Sequence, residues 1–324
     1  MFRLSTSKIV RCHNIEFEIW SKISQLESEF FVKNFLENKI KILEKQNPHF
    51  ETVDTIKKKV PTERKESKDI LFLTLLTNND INNDLILRIT NTARQAREFY
   101  LASGNLPLLS KPILLMYTFE KLAELLALTI FNLNITTKYY HGVTLNKSDP
   151  FIVLPKVNGL FSIFHDCYSF FPDVYLNCYQ FRLQDLLKID SMKENQDYSL
   201  TKYIDVFSFL KEDNRNYHVY IKEDASKNNI EIHELDREFL FTYIVSTLAR
   251  YRVNQWNEIM RAKETDIILR VQDYLNTIQL IFPNLILNYL FDKKFVFVPF
   301  SYFEEKDVER IFDDKMKRSF RGLM

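Results

Sequence analysis

The chain has 324 residues, of which 46% are hydrophobic and 27% charged, so it has enough apolar material for one large domain or two small ones. The net charge of +1 excludes an overall basic footprint of the kind that non-specific nucleic-acid binding requires, and it argues against a polybasic membrane anchor. Three scattered cysteines exclude a disulfide framework and indicate a reducing compartment, so we predict a cytoplasmic protein.

The N-terminal part of the chain divides into two segments by its residue pattern. Apolar residues recur at steps of three and four between residues 15 and 43, so residues 1–55 are predicted to be a helical segment. Residues 56–69 contain a run of mixed charge with a proline, which is typical of a charged linker or loop. The first residues of the chain lack the apolar core of a signal peptide, so no secretion signal is expected.

Residues 70–300 are predicted to form a helical core with β-hairpin insertions. Its first helices are expected at residues 83–102, just ahead of Gly104, and at residues 110–133, where Ser110 is a candidate cap. The second of these helices is the most apolar stretch of the chain. Charged residues interrupt it, and a charge at mid-bilayer is costly, so this stretch predicts a buried core helix and no membrane span.

Two β-hairpins are predicted as insertions in this core. Asn158-Gly159 stands between the apolar runs 151–157 and 160–164, and Asn-Gly between apolar runs is a strong hairpin signal. A second hairpin is predicted from residues 217–222 and 230–233, which are joined by a polar segment.

Helices and one short strand complete the chain. Residues 235–262 are predicted to form a long helix, and residues 265–282 form the next, which is expected to end before Pro283. Residues 294–299 fit a short strand, and residues 301–324 are predicted to be a charged C-terminal helix. The predicted fold class is therefore mainly α with one or two small β-hairpins (α+β), built around a multi-helix core.

The glycine and histidine positions exclude several kinds of site. A phosphate-cradling loop needs several glycines close together, whereas the four glycines of this chain are isolated. None of the six histidines lies four residues from another, and there is no Cys-x-x-Cys, so we predict no metal site and no cofactor. The adjacent His165, Asp166 and Cys167 favour a half-buried strand end over a metal site, because neighbouring side chains point in different directions.

Charged residues in the first two core helices are candidates for chemistry. Arg94 and Arg97 lie on the helix at 83–102, where Arg94 can pair with Glu98 on a solvated face, or an arginine can reach into a cleft. Glu120 is embedded in an apolar helix, and a buried carboxylate must be paired or protonated. Arg94 or Arg97 can pair with it, either as a structural ion pair or beside a carboxylate poised for acid–base chemistry.

His141 and the segment around Arg250 complete the candidate site. His141 precedes a glycine at a predicted turn, and loops carry function more often than core helices do, so it ranks first among the histidines. Arg252 and Trp256 are four residues apart on the long C-terminal helix, which favours either helix packing with snorkelling arginines or an anion or nucleotide pocket. The candidate catalytic residues are thus Glu120, His141 and Arg250, and the candidate anion- or nucleotide-binding residues are Arg94, Arg97, Arg252 and Trp256.

Several of these residues lie in motifs that resemble the YaaC-like family of bacterial proteins, over about residues 90–290. The motifs are ARQAREFY at 93–100, LLSKPILLMY at 108–117 followed by FEKLA at 119–123, His141-Gly142, LARYR at 248–252 with Trp256, and FPNLILN at 282–288. The resemblance implies a cytoplasmic protein without a settled activity. Residues 117–126 are also similar to HEPN helical domains, many of which are ribonucleases or partners of nucleotidyltransferases. The Arg followed by His that those ribonucleases use is missing after Arg250 and Arg252.

Three functions stay open from the sequence. The first is a non-catalytic helical scaffold that binds a protein partner or itself, in a stress or phage-defence assembly of the kind that the HEPN similarity implies. The second is an enzyme that cleaves RNA or binds a nucleotide through a cleft with arginine, glutamate and histidine. The third is a buried polar network that only specifies the fold. Nucleic acid or a nucleotide is therefore a candidate ligand, and no membrane partner is expected.

Overall fold

A computed structural model gives the fold of the chain and describes residues 7–46, 81, 83–131, 141–145, 147, 152–155, 159–167, 181–182, 234–261 and 266–299. The described part is mainly helical with two small sheets, which confirms the predicted fold class. Its helices are α1 (Ile15–Ile23), α2 (Glu29–Gln46), α3 (Asn83–Gly104), α4 (Lys111–Phe131), α5 (Leu160–Asp166), α6 (Glu234–Tyr251), α7 (Val253–Arg261) and α8 (Asp266–Phe291). Its strands are β1 (Ser7–Cys12), β2 (Val143–Leu145), β3 (Ile152–Pro155), β4 (Phe181–Arg182) and β5 (Lys294–Pro299).

The helix predicted between residues 15 and 43 is divided into α1 and α2 by a 3-10 turn at Ser24–Glu27. Asn14 begins α1, because its side-chain oxygen accepts the Phe17 N–H at 3.0 Å. Ser28 is extended between the 3-10 turn and α2, which breaks the helical path. Apolar residues on both sides of this break are fully buried, so both helices pack on the same core.

Helices α3 and α4 pack extensively against each other, and both agree closely with their predicted ranges. Ala93 and Ala96 are fully buried on α3, and their small side chains let a neighbouring helix approach closely. On α4, Phe119 stacks on Phe282 of α8 with 4.0 Å between the ring centroids. No helix among those described, α4 included, is long and apolar enough to cross a membrane.

The hairpin predicted across Asn158-Gly159 is wrong, because the residues that follow the glycine form α5. The glycine is the N-cap residue of this helix, and Leu160, Phe161 and Phe164 are buried at helical spacing. Strand β3 pairs instead with β2 and β4, antiparallel to both, in a three-stranded sheet. The spacing of large apolar side chains therefore outweighs the local turn signal here.

The C-terminal helices differ from the prediction at their ends. The helix predicted at residues 235–262 stops at Tyr251 and resumes at Val253, with Arg252 between α6 and α7. Helix α8 does not end before Pro283 but continues through it to Phe291. Proline removes one backbone hydrogen bond, yet the helix persists because the turns beyond it are held in the core. The residues that hold them there, all fully buried, are Ile286, Leu287 and Leu290.

Strand β5 confirms the strand predicted at residues 294–299, and it pairs with an N-terminal strand that the sequence did not predict. Strands β1 and β5 run parallel, with Ser7 opposite Lys294 and Cys12 opposite Pro299. Strand β1 lies within the residues that were predicted to be a helical segment. Its pairing with β5 therefore joins the first and last described elements of the chain.

Three predicted elements lie outside the described residues: the charged linker or loop at 56–69, the hairpin at 217–222 and 230–233, and the C-terminal helix at 301–324. The predicted division of the chain into segments therefore stays a prediction.

Candidate functional site

Three candidate residues from separate parts of the chain meet around Tyr243. Glu120 lies on α4, His141 lies just before β2, and Arg250 lies two helical turns after Tyr243 on α6. Helices α4 and α6 pack against each other, which brings these side chains together. We call Glu120, His141, Tyr243 and Arg250 the Tyr243 cluster.

Glu120 and His141 form the acid–base half of the Tyr243 cluster. His141 Nδ1 contacts Glu120 Oε1, and the side chains of His141 and Glu120 are 39% and 12% exposed. The embedded carboxylate therefore has a partner, but that partner is His141 and not Arg94 or Arg97. Because Nδ1 is engaged, Nε2 is the ring nitrogen that His141 can offer to a ligand.

Tyr243 connects the two halves of the cluster. Its side chain is buried, and its ring centroid lies 5.7 Å from that of His141. Burial raises the pKa of Tyr243, and the negative charge of Glu120 raises this pKa further. A hydrogen bond with Thr247 and the positive charge of Arg250 lower the pKa in part. The hydroxyl therefore stays protonated at neutral pH and senses the charges of both Glu120 and Arg250.

Arg250 forms the cationic half of the cluster. Its Nη1 donates to the Tyr117 hydroxyl at 3.3 Å, and its Nε donates to the Ser246 carbonyl at 3.4 Å. Its guanidinium carbon lies 5.5 Å from the ring centroid of Tyr117 and 5.4 Å from that of Tyr251, within the range of cation–π attraction. Among the described residues, these contacts are long and go to neutral groups. The charge of Arg250 is therefore available to an anionic ligand.

Gly142 fixes the loop that carries His141. Its φ is +76°, in the left-handed region that disfavours any side chain. A Cβ at this position would lie 3.0 Å from the Phe161 nitrogen and 3.1 Å from the Gly159 carbonyl carbon. The same nitrogen donates its hydrogen to the His141 carbonyl at 3.0 Å, so the loop is fastened to the first turn of α5. Glycine is the residue that permits this close approach.

We expect Gly142→Ala to lower the free energy of unfolding by about 1–3 kcal/mol and to displace His141 from Glu120. The added Cβ would meet backbone atoms, which cannot move aside as a flexible side chain can. Urea denaturation measures the change, and Gly104→Ala is the matched control. A Cβ at Gly104 meets nothing within 4 Å, so stability should be unchanged or rise by up to about 1 kcal/mol. Equal effects of the two substitutions would contradict this assignment.

Two of the predicted anion-binding residues, Arg97 and Trp256, make contacts that join parts of the fold. Arg97 forms a two-point ion pair with Glu27, with Nε–Oε1 and Nη2–Oε2 distances of 2.5 and 2.8 Å, which joins α3 to the 3-10 turn. Trp256 is buried, and its Nε1 donates to the Leu109 carbonyl at 2.8 Å. These contacts do not test an anion-binding role, which stays a prediction for all four candidates: Arg94, Arg97, Arg252 and Trp256. Of these, Arg94 and Arg252 are exposed.

A buried ionic network at the first turns of α6 was not predicted from the sequence. The strand-end interpretation of His165 is wrong: it lies on α5, and its Nδ1 is 2.9 Å from Asp236 Oδ2, with both side chains buried. Arg237 Nε is 3.1 Å from Glu238 Oε1, and the Tyr274 hydroxyl donates to the other Glu238 oxygen. The one sequence signal for this network is the charged run at the start of α6. This run favours an exposed helix face, because charged residues are seldom fully buried, so it did not reveal the network. Within the described ranges, no group of His, Cys, Asp and Glu side chains has the arrangement of a metal site.

Comparison with known proteins supports the family resemblance in the C-terminal part of the chain. The model of the family described as YaaC-like Protein matches residues 179–290, which include α6, α7 and nearly all of α8. The chain is therefore similar to the YaaC-like family over this stretch, in agreement with the motifs found there. No curated protein and no solved structure matches the chain significantly. The similarity to HEPN domains stays a prediction.

Proposed function

We propose that this chain, which is similar to the YaaC-like family over residues 179–290, binds a phosphate group of RNA or a nucleotide at the Tyr243 cluster and transfers a proton there. The observation that supports this most is the meeting of an arginine and a Glu–His pair at one buried tyrosine. Phosphate-ester chemistry needs an anion-binding group and an acid–base group within reach of one ligand.

Arg250 is the phosphate-binding group in this proposal. A guanidinium recognises phosphate oxygens through charge-assisted hydrogen bonds, and it stays charged at any physiological pH. Arg250 is half-buried, so its charge is less screened than that of a surface arginine. With a net charge of only +1, the chain as a whole attracts nucleic acid weakly, so binding depends on this local site.

His141 transfers the proton, and Glu120 orients the imidazole. Nε2 of His141 accepts the proton of a ribose 2′-hydroxyl as that oxygen attacks the adjacent phosphorus. The P–O2′ bond forms while the P–O5′ bond breaks, and His141 returns the proton to the departing 5′-oxygen. The products are a 2′,3′-cyclic phosphate and a 5′-hydroxyl. The protonated Tyr243 hydroxyl donates a hydrogen bond to a phosphate oxygen, on which negative charge develops during the reaction.

Anisotropy of a fluorescein-labelled single-stranded RNA, titrated with the full chain, tests phosphate binding. Arg250→Ala should weaken binding about tenfold to a hundredfold, because a hydrogen bond to a charged group contributes about 1.5–3 kcal/mol. Arg97→Ala is the matched control, and it should bind RNA as the unchanged chain does, since Glu27 already holds that guanidinium. Equal affinities for Arg250→Ala and the unchanged chain, or no RNA binding at all, would overturn the proposal.

Glu120→Gln separates proton transfer from a purely structural network. If Glu120 and His141 act in proton transfer, Glu120→Gln and His141→Ala should each slow RNA cleavage by a factor on the order of 10²–10⁴. The RNA affinity and the urea midpoint of both variants should then equal those of the unchanged chain. For a structural network, the urea midpoint should fall instead, and cleavage by the folded fraction should not change.

A second candidate function is a cytoplasmic scaffold that binds a protein partner or itself, in a stress or phage-defence assembly. Two exposed aromatic side chains near the start of the chain favour it: Phe17 is 67% exposed and Phe30 is 79% exposed. Exposed apolar groups mark interaction surfaces where they are contiguous. Light scattering would support self-association if the chain is a dimer that Phe30→Ser converts to a monomer. A monomer at all concentrations would contradict it.

A further inference from the structure

Tyr251 is an exposed aromatic side chain beside the cationic half of the Tyr243 cluster. It is the last residue of α6 and is 72% exposed, whereas most aromatic side chains of the core are buried. Its ring centroid lies 5.4 Å from the guanidinium carbon of Arg250, which also contacts the half-buried ring of Tyr117. The exposed ring of Tyr251 therefore offers a flat surface to a ligand next to a cation.

The surroundings of Tyr251 are apolar and exposed as well. Val253 is 51% exposed at the start of α7, on the other side of the helix break at Arg252. Leu109 is 46% exposed, and its carbonyl accepts the Trp256 Nε1–H, so Leu109 lies against the first turn of α7. Among the residues that the structure describes, the exposed large apolar side chains at this end of α6 are Leu109, Tyr251 and Val253.

An aromatic ring flanked by arginines suits one kind of ligand better than others. Arg250 and Arg252 stand on either side of Tyr251 in the sequence, and the Arg250 guanidinium contacts the tyrosine ring itself. A nucleotide carries a flat base that stacks on an aromatic ring and a phosphate that binds a guanidinium. A stable protein partner would instead need a broad surface with an apolar centre, whereas the exposed large apolar side chains that the structure describes at this end of α6 are three: Leu109, Tyr251 and Val253.

On the basis of the phosphate site proposed above, we infer that Tyr251 stacks on an unpaired nucleobase. The ligand of the Tyr243 cluster is then a nucleotide or a single-stranded nucleic acid, with its base on Tyr251 and its phosphate on Arg250. A base within a duplex is already stacked on both faces, so duplexes should bind more weakly than single strands. The helix break at Arg252 places Tyr251 at the end of α6, where its ring is 72% exposed.

Two labelled probes of equal length and charge test this inference on the full chain: a single-stranded oligonucleotide and its abasic counterpart, which has the phosphates without the bases. Tyr251→Ala should weaken binding of the base-containing probe about tenfold, because stacking of one base on an aromatic ring contributes about 1–3 kcal/mol. Tyr251→Phe should retain the affinity, since the ring remains. The abasic probe should bind the unchanged chain and Tyr251→Ala equally, and Arg250→Ala should weaken both probes. Tyr251 is exposed, so its substitution should leave the fold intact.

The outcomes separate this inference from the function on which it rests. If Tyr251→Ala binds the base-containing probe as tightly as the unchanged chain does, stacking on Tyr251 is refuted while phosphate binding stands. The same holds if Tyr251→Ala weakens both probes equally. If neither probe binds the unchanged chain, both the phosphate site and the stacking site are refuted. A mononucleotide that competes with the oligonucleotide at the same site would identify the single nucleotide as the recognised unit.

Discussion

Glu238→Gln should lower the free energy of unfolding by about 3–5 kcal/mol, because it breaks a buried ion pair from one side. Glu238 is fully buried, and it accepts from Arg237 and from the Tyr274 hydroxyl. Glutamine has almost the same shape as glutamate but no charge, and its amide NH2 group would face the donors of Arg237 or Tyr274. The substitution removes the negative charge that faces the buried Arg237 guanidinium, and the loss of this attraction carries most of the expected cost. Urea denaturation followed by far-UV circular dichroism measures it.

Two further variants show whether charge is the cause. Glu98→Gln makes the same chemical change on the exposed face of α3, so it should alter stability by less than about 0.5 kcal/mol. The double variant Arg237→Met with Glu238→Leu removes both charges and should recover much of the lost stability, since apolar groups often replace a buried pair without cost. If the double variant is less stable than Glu238→Gln, the network contributes more to the free energy of unfolding than the mutual neutralisation of its two charges.

Lys39→Met should raise the free energy of unfolding at neutral pH. It should also abolish the rise in this free energy that the unchanged chain shows at alkaline pH. Burial lowers the pKa of Lys39 from 10.5 to about 8, although the charges of Asp292 and Cys167 oppose this. Between these two pH values the unfolded chain binds a proton that the folded chain does not, so the free energy of unfolding rises with pH. Below about pH 8 the folded chain holds a charged amine in a half-buried place, at a cost of up to about 3 kcal/mol.

The measurement is the difference in unfolding free energy between the unchanged chain and Lys39→Met, from urea curves at pH values from about 7 to 10. The unchanged chain should gain stability relative to Lys39→Met as pH rises above about 8. Lys33→Met is the matched control on the exposed side of α2, and its difference from the unchanged chain should stay constant over this range. A constant difference for Lys39→Met as well would mean that this amine is charged in the folded chain throughout.

The fold could be predicted wherever the spacing of apolar residues decides it. Helix α3 agrees with its predicted range because its buried residues recur every three or four positions, and α4 agrees because a long apolar stretch suits a helix that is buried all round. Local signals misled where tertiary packing overrides them: Asn158-Gly159 precedes a helix, and Pro283 lies inside one. Strand β1 was missed because its partner, β5, lies at the far end of the described chain, and one sequence does not reveal such a pairing.

Three of the four residues of the Tyr243 cluster were candidates from the sequence, whereas Tyr243 itself and the contacts within the cluster were not. An acid in an apolar helix, a histidine at a turn and an arginine in a long helix are each unusual enough to identify Glu120, His141 and Arg250. Which residue pairs with which depends on how helices pack, so His141 as the partner of Glu120 needed a structure. The same reason hid the pair of His165 and Asp236, which lie 71 residues apart in the sequence.

The parallel pairing of β1 with β5 sets the order in which this protein can be completed during its synthesis. A ribosome releases Ser7 long before Lys294, so β1 cannot pair with β5 until nearly all of the described chain has emerged. Closing so long a loop costs chain entropy before the β1–β5 hydrogen bonds form and offset this cost. The pairing of β1 with β5 is therefore slow to form. The N-terminal strand is therefore among the last elements to be fixed in place, and until then the nascent chain carries an unpaired strand edge that a chaperone can protect.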